Sequence, residues 1–521
     1  MYWLSPRRTT FILIALVFVL RSPTLFDSMF LVDEGYSGAI ASEMLFGGVI
    51  YENAVDTRAP FIYYVYYLVF LIAGPNNLFA VHLIASLFVL ITALIVRELG
   101  SEIYGERSGA WAGIGYVIFS HTFISRDTLA ANVEIFTLVP LTLGFLFYMK
   151  GERKDRVSLL LLGGACCAVS MFFRQPSVVN MAVIAVYLGF RFQYLADLSF
   201  RRMLRIGSAV FAGFGISVAL IAWFHYSLGN LDSMVEWSWY IAMRYVNSET
   251  TLPYVLRRIF VVHVTFILAG GLLWYMGIGH LITAVREGVQ KLPDSGGGIL
   301  MVLWFTAAYM TLFTGWRFPG HYHLTLLPPL SVLAGAAFAL MRNNQITLPI
   351  SRIKRQNRYL LGATAVPALA FLIIAYFVRS DTVAFRPIPE YIIENTKPED
   401  RIFVWGSAPH IYSFSHRRNA TRFVSGSHLV GMYASRPHRE IDSSKWIVPG
   451  SWEMLDQDFE EHPPELIIDM SPISSNWDRH PMTRYPVLKD HLMAYSLEES
   501  ILGAQIYRRN NSRGSNAEVM R

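Results

Sequence analysis

Apolar runs of membrane length recur through the first three quarters of this chain, and no other feature narrows its fold so far. They fall at about 9–27, 60–73, 77–97, 108–124, 132–149, 157–173, 176–192, 205–227, 259–284, 298–314, 322–341 and 359–378. Roughly 20 apolar residues cross a bilayer as one helix. A helix also satisfies its own backbone where no water can reach. The chain therefore reads as a polytopic α-helical membrane protein. Only 16% of its 521 residues are charged, against about 25% in a soluble globular chain. Lys and Arg outnumber Asp and Glu by 44 to 38. In a membrane protein that excess belongs to cytoplasmic loops, so it implies no nucleic-acid partner. The two cysteines, Cys166 and Cys167, are adjacent in an apolar run, which leaves no disulfide framework and reads as core packing. The first run follows "SPRR" without a small-residue cleavage site and reads as a retained helix.

The run 60–73 is the doubtful span. At 1.5 Å per residue it reaches roughly 21 Å, against a hydrocarbon core of about 30 Å. It is rich in tyrosine, with Tyr63, Tyr64, Tyr66 and Tyr67, a residue that favours the interface. Positive charge decides the matter. With 60–73 lying on the surface, one set of loops gathers most of the basic residues. These include Arg7 and Arg8; Arg97 and Arg107; Lys150, Arg153, Lys154 and Arg156; Arg191, Arg201, Arg202 and Arg205; Arg286 and Lys291; and Arg342, Arg352, Lys354, Arg355 and Arg358. The opposite loops hold fewer. If 60–73 spans, the bias reverses. The positive-inside rule thus predicts about eleven transmembrane helices with 60–73 as a juxtamembrane helix. It places the N-terminus in the cytoplasm and the C-terminus outside a cell membrane.

The tail differs in kind. It has polar stretches and short β-like runs at "RIFVW" (401–405), "ELIIDM" (465–470) and "GAQIYRR" (503–509). This divides the chain into a transmembrane domain, 1–378, and a small α/β extracytoplasmic domain, 379–521.

The outside loops then collect the unusual polar groups: "VDEG" (32–35), "VDTRAP" (55–60), "SRDTLAANVE" (125–134), "FFRQPS" (172–177) and "GWRFPGHYHL" (315–324). Sharing one membrane face, they are expected to line one outward cavity. Asp33 and Glu34 offer an anion to take a proton from an acceptor, or to hold a divalent metal ion. Arg58, Arg174, Arg317 and His321 offer cations for a phosphate, which arginine grips bidentately. His323, opening an apolar helix, reads as a packed histidine. A carboxylate base beside phosphate-binding cations suits glycosyl transfer from a lipid-linked phosphosugar. A transporter or flippase would use the same arginines without a base, and no inverted halves of the transporter kind are visible.

The order of these segments resembles the GT-C superfamily of membrane glycosyltransferases. The nearest likeness is to the group containing protein O-mannosyltransferases and lipid A aminoarabinose transferases. It is carried by "DEGYSGAIASEMLFGGVIYENAVDTRAPFIYYVYYLVFLIAG", "VRELGSEIYGERSGAWAGI", "AANVEIFTLVPLTLGFLFYM" and "RFPGHYHLTLLPPLSVLAG". The resemblance implies Asp33 as catalytic base with Glu34 assisting it or positioning a metal. It implies Glu134 as the second acidic residue. Arg58 stands where the family commonly has lysine, and His321 and Tyr322 match the signature that faces the donor phosphate. Ala59 departs from the family's proline there, and "FRQP" is only loosely similar. The implied substrates are a polyprenyl-phosphate sugar donor and a glycan, lipid or protein acceptor. A catalytically silent relative is the remaining alternative.

Overall fold

The computed structural model describes residues 5–26, 29–247, 249–287, 295–342, 356–377, 385–432, 442–474 and 476–510. The chain divides into two compact units. One comprises Met1–Ser28, His82–Trp223 and Pro253–Val378; the other comprises Met29–Val81, Phe224–Leu252 and Arg379–Arg521. The basic loop residues Lys291, Arg352, Lys354 and Arg355 lie outside the described residues.

The first unit is helical. Among the described residues of the chain, seven helices are long and apolar enough to cross a membrane: Pro6–Leu25, Leu78–Tyr104, Val133–Arg153, Gln175–Leu195, Phe200–Ser227, Leu252–Ala269 and Gly320–Ala339. Shorter apolar helices, Val157–Phe173, Gly271–Ile282 and Gly297–Thr311, lie between them. The run 259–284, expected as one span, is interrupted at Gly270, where one helix ends at Ala269 and the next begins at Gly271. Adjacent glycines are a usual cause of such a break. Helices approach closely where a side chain is missing. A Cβ on Gly164 would lie 1.8 Å from the Val210 carbonyl oxygen, so Val157–Phe173 and Phe200–Ser227 meet backbone to backbone, as small residues allow in membrane bundles.

Ion pairs join the helix ends that carry the basic loops. Lys150 Nζ lies 2.5 Å from Glu98, and Arg153 lies 2.6 Å from Glu102. Arg191 pairs with Glu152 and, at 2.6 Å, with Asp197. All belong to the charge-rich loops. At the other helix ends, Arg21 donates to Ser86 Oγ at 2.8 Å and to the Leu129 carbonyl at 2.9 Å.

The second unit holds a five-stranded sheet of order β2-β1-β3-β5-β4. Its strands are β1 Arg401–Trp405, β2 Arg418–Asn419, β3 Leu466–Asp469, β4 Tyr495–Ile501 and β5 Ala504–Arg509. β1 runs parallel to β2 and β3, while β5 is antiparallel to β3 and β4. The tail does not stand alone in this unit. Glu43, on helix Val32–Leu45, pairs with Arg418 at β2. The Val55 amide donates to the Arg422 carbonyl at 2.9 Å, and Asn230 Nδ2 to the Ile50 carbonyl at 2.9 Å. A Cβ on Gly35 would lie 2.8 Å from the His410 amide nitrogen, so glycine there lets the helix meet the tail's backbone. Helix Phe61–Ala73 packs Ile62, Tyr63, Tyr66, Val69 and Phe70 inward and leaves Leu68, Leu71 and Ile72 exposed. The bare face is apolar, as on a helix that meets lipid.

Candidate active site

The candidate residues fall into two clusters, one in each unit. In the second unit, Asp33 and Glu34 open helix Val32–Leu45, where negative charge is favoured by the helix dipole. Their side chains part company. Glu34, 1% exposed, turns back on its own helix and accepts the amides of Phe30 at 2.6 Å and Leu31 at 3.1 Å. It satisfies backbone donors that a helix start leaves open. Asp33 remains 27% exposed and its Oδ1 lies 2.5 Å from Arg58 Nη2.

Arg58 is shared. Its other terminal nitrogen pairs with Asp56, and its guanidinium lies 5.4 Å from the centre of the Tyr36 ring. Tyr51 Oη donates to its carbonyl at 2.6 Å. Asp56 is 5% exposed and accepts Tyr63 Oη at 2.7 Å and the Thr57 amide at 2.7 Å. Burial opposes the charge on Asp56, but the Arg58 charge, His428, Tyr63 and the Thr57 amide outweigh it and hold the carboxyl below its usual value. Burial likewise opposes the charge on Arg58, and Asp56 and Asp33 overcome it, raising the guanidinium well above its usual value. The Tyr36 hydroxyl faces Ser407, Ser425 and Ser427 of the tail. Burial pushes His428 down to about 4, so it is neutral at pH 7.

In the first unit, Glu134 lies in the first turn of Val133–Arg153 and is 0% exposed. Arg174 follows the last turn of Val157–Phe173, with Nε 3.3 Å from Glu134 Oε1. Its guanidinium sits 4.5 Å from the centre of the Tyr322 ring, a cation–π contact. His321 donates its amide to Asp127 Oδ1 at 3.2 Å, and its Nδ1 lies 3.1 Å from the same oxygen. Gly320 makes this possible, because a Cβ there would lie 2.5 Å from Asp127 Cγ. Arg317 is 1% exposed. The loop it occupies is contorted: Trp316 and Phe318 adopt φ of 55° and 47° beside Gly315 at 70°. A bulky residue in the left-handed region costs on the order of 1–3 kcal/mol and persists where its surroundings over-determine it.

The structure thus joins Asp33 to Arg58, and Glu134 to Arg174 and Tyr322, with His321 beside them on the same turn. Three groups escaped sequence reasoning. Asp56 and Asp127 stand inside segments already singled out, but nothing in their spacing marks them as partners of Arg58 and His321. Tyr36 lies one helical turn beyond Asp33, the sole hint that both lie on one face. As placed, Asp33 and Glu34 do not fit a divalent cation, since one carboxylate faces a guanidinium and the other two amides. Among the described residues no group of three or more His, Cys, Asp or Glu converges as a metal site.

The fold is that of the GT-C membrane glycosyltransferases. It is shared with ArnT, a lipid A aminoarabinose transferase, from Cupriavidus metallidurans, solved bound to undecaprenyl phosphate. The TM-score is 0.64 at 14% identity over 98% of this chain and 99% of that one. It is also shared with the Archaeoglobus fulgidus oligosaccharyltransferase AglB, solved with an inhibitory peptide and a dolichol-phosphate. There the TM-score is 0.56 at 12% identity over 98% of this chain and 74% of that one. No family model and no curated protein matches the sequence.

Proposed function

We propose that this protein is an inverting glycosyltransferase of the cell membrane. It takes a sugar from a polyprenyl-phosphate donor and passes it to an acceptor on the extracytoplasmic face. The observation that carries the reading is the carboxylate of Asp33, partly open to solvent and held by Arg58 on a helix start. Asp33 accepts the proton of the acceptor's hydroxyl or amine. The acceptor's electron pair attacks the anomeric carbon, and the bond to the phosphate oxygen breaks with its electrons staying on the lipid phosphate. The proposed phosphate-binding groups are Arg58 in the second unit and Arg174, Arg317, His321 and Tyr322 in the first; preorganised charge of this kind stabilises a leaving anion. Glu34 and Glu134 act at one remove: Glu34 fixes the helix that carries Asp33, and Glu134 fixes Arg174. The likeness to proteins solved with undecaprenyl phosphate and dolichol-phosphate supports a lipid-phosphate ligand.

The test is complementation of a deletion strain with wild type and Asp33→Asn, read by mass spectrometry of envelope glycans. Wild type restores the missing modification. Asp33→Asn, present at equal level in the membrane, restores roughly 10²–10⁴-fold less, the worth of a positioned general base. Full restoration by Asp33→Asn would sink the assignment.

A further inference from the structure

The contorted loop of the first unit is gripped carbonyl by carbonyl. Arg258 donates through Nε to the Arg317 carbonyl at 3.0 Å and through Nη2 to the Phe318 carbonyl at 2.9 Å. His323 Nδ1 lies 3.2 Å from the Pro319 carbonyl and 3.1 Å from that of Gly320. Four successive carbonyls, 317 to 320, therefore all accept from side chains. The next amide, that of His321, is taken by Asp127.

The histidine half of this grip continues away from the loop. His323 Nε2 lies 3.2 Å from His263 Nδ1, and His263 Nε2 lies 2.9 Å from Tyr309 Oη. His323 is 0% and His263 8% exposed. The chemistry allows one assignment of protons for two neutral rings. Nδ1 of His323 faces carbonyl oxygens, which only accept, so it carries the hydrogen. Its Nε2 must then accept from His263 Nδ1–H, and His263 Nε2 accepts the Tyr309 hydroxyl hydrogen. Every polar atom of the chain is satisfied in that direction alone. Arg258 and His263 both stand on Leu252–Ala269, and Tyr309 on Ser295–Thr311. Two membrane helices thus hold one turn in a conformation it would not keep unaided.

We propose that Arg258, His263 and His323 are positioning residues for the donor phosphate, setting the turn that presents Arg317, His321 and Tyr322. The inference rests on the donor reading above, and its test separates the two. Purified full-length protein in nanodiscs is titrated with undecaprenyl phosphate and, separately, with undecaprenol, which lacks the phosphate. Wild type prefers the phosphate lipid. His323→Phe keeps the ring but cannot donate, and Arg258→Lys replaces the rigid planar fork that fixes both carbonyls with a flexible point charge. Each reduces that preference by about tenfold, the usual consequence of stranding buried polar groups. His323→Asn, whose amide nitrogen stands near the place of Nδ1, keeps the preference within about threefold of wild type, consistent with one retained hydrogen bond. A merely structural role would lower thermal stability and leave the ratio of the two affinities alone. Folded His323→Phe or Arg258→Lys protein with wild-type preference overturns the proposal; should His323→Phe fail to fold, Arg258→Lys decides. Wild type without any preference overturns the donor reading itself, and this inference with it.

Discussion

Asp56→Asn separates the charge of Asp56 from its shape. The amide is isosteric: its oxygen at the Oδ1 place keeps the Thr57 amide, the nitrogen that replaces Oδ2 donates to Tyr63 Oη instead of accepting from it, and the negative charge beside Arg58 is gone. Two effects follow. The first is on stability. A hydrogen bond to a charged group is worth about 1.5–3 kcal/mol, and a neutral one about 0.5–1.5. The substitution should therefore cost on the order of 1–2 kcal/mol. The burial of Asp56 keeps the figure from being smaller, while the 26% exposure of Arg58 keeps it from being larger. The second effect is on the ligand. Arg58 now balances one carboxylate instead of two. Across one guanidinium, roughly 7 Å, and at an effective dielectric of about 40, a removed unit charge changes the interaction with a phosphate by about 1.2 kcal/mol. Undecaprenyl phosphate should bind Asp56→Asn about sevenfold more tightly than wild type, while undecaprenol binds equally. Lipid titration in nanodiscs and thermal unfolding of the same preparations measure both. An unchanged or weakened phosphate affinity in a folded variant refutes the reasoning.

Gly320→Ala should push Asp127 off His321, since the new Cβ meets the carboxylate and not a flexible chain end. The expected cost is about 1–3 kcal/mol by thermal unfolding, with loss of transfer exceeding the loss of protein, whereas Gly189→Ala, with nothing near its Cβ, serves as control. The second unit should also lose stability in acid. His410 and His428, both depressed by burial from 6.5 to about 4, bind protons more readily unfolded than folded. Stability is therefore full above about pH 6.5 and falls as pH drops towards 4, by up to ~3 kcal/mol for each. Amide hydrogen exchange of β1 and β3 between pH 7 and 4.5, corrected for intrinsic rates, measures this; protection independent of pH would contradict it.

Most of the apolar runs, though not 259–284, and the three β-like runs of the tail were legible in the sequence, because apolar length and β-branched clustering are local signals. "RIFVW" becomes β1 without change, and "ELIIDM" and "GAQIYRR" become β3 and β5. β4, "YSLEESI", escaped because its residues are mostly exposed and carry two glutamates, so no buried face announces it. The short run 60–73 forms the helix Phe61–Ala73. Asp33 and Arg58 stood out in the candidate site as residue types, but not as a pair, for the 24 residues between them carry no periodicity. Glu34 shows the opposite failure: two adjacent carboxylates look alike in sequence, and only the backbone amides of Phe30 and Leu31 tell them apart.

In the proposed mechanism, the placement of Arg58 gives a reason to tie the base, Asp33, to a phosphate-binding cation. Before reaction the guanidinium faces two carboxylates, Asp33 and Asp56. That arrangement has an excess of negative charge and little pull on a donor's phosphate. Once the acceptor's proton reaches Asp33, that partner becomes neutral, and Arg58 keeps only Asp56. Its charge becomes available at the moment the departing phosphate oxygen acquires its own. The same proton transfer that activates the nucleophile thus strengthens the grip on the leaving group. An interaction that grows between ground state and transition state lowers the barrier; one present equally in both does not. On this account Asp56 keeps Arg58 from holding the donor or the released lipid phosphate too tightly. It follows that Asp56→Asn should lose turnover while gaining affinity, which a positive charge serving only to bind phosphate would not do.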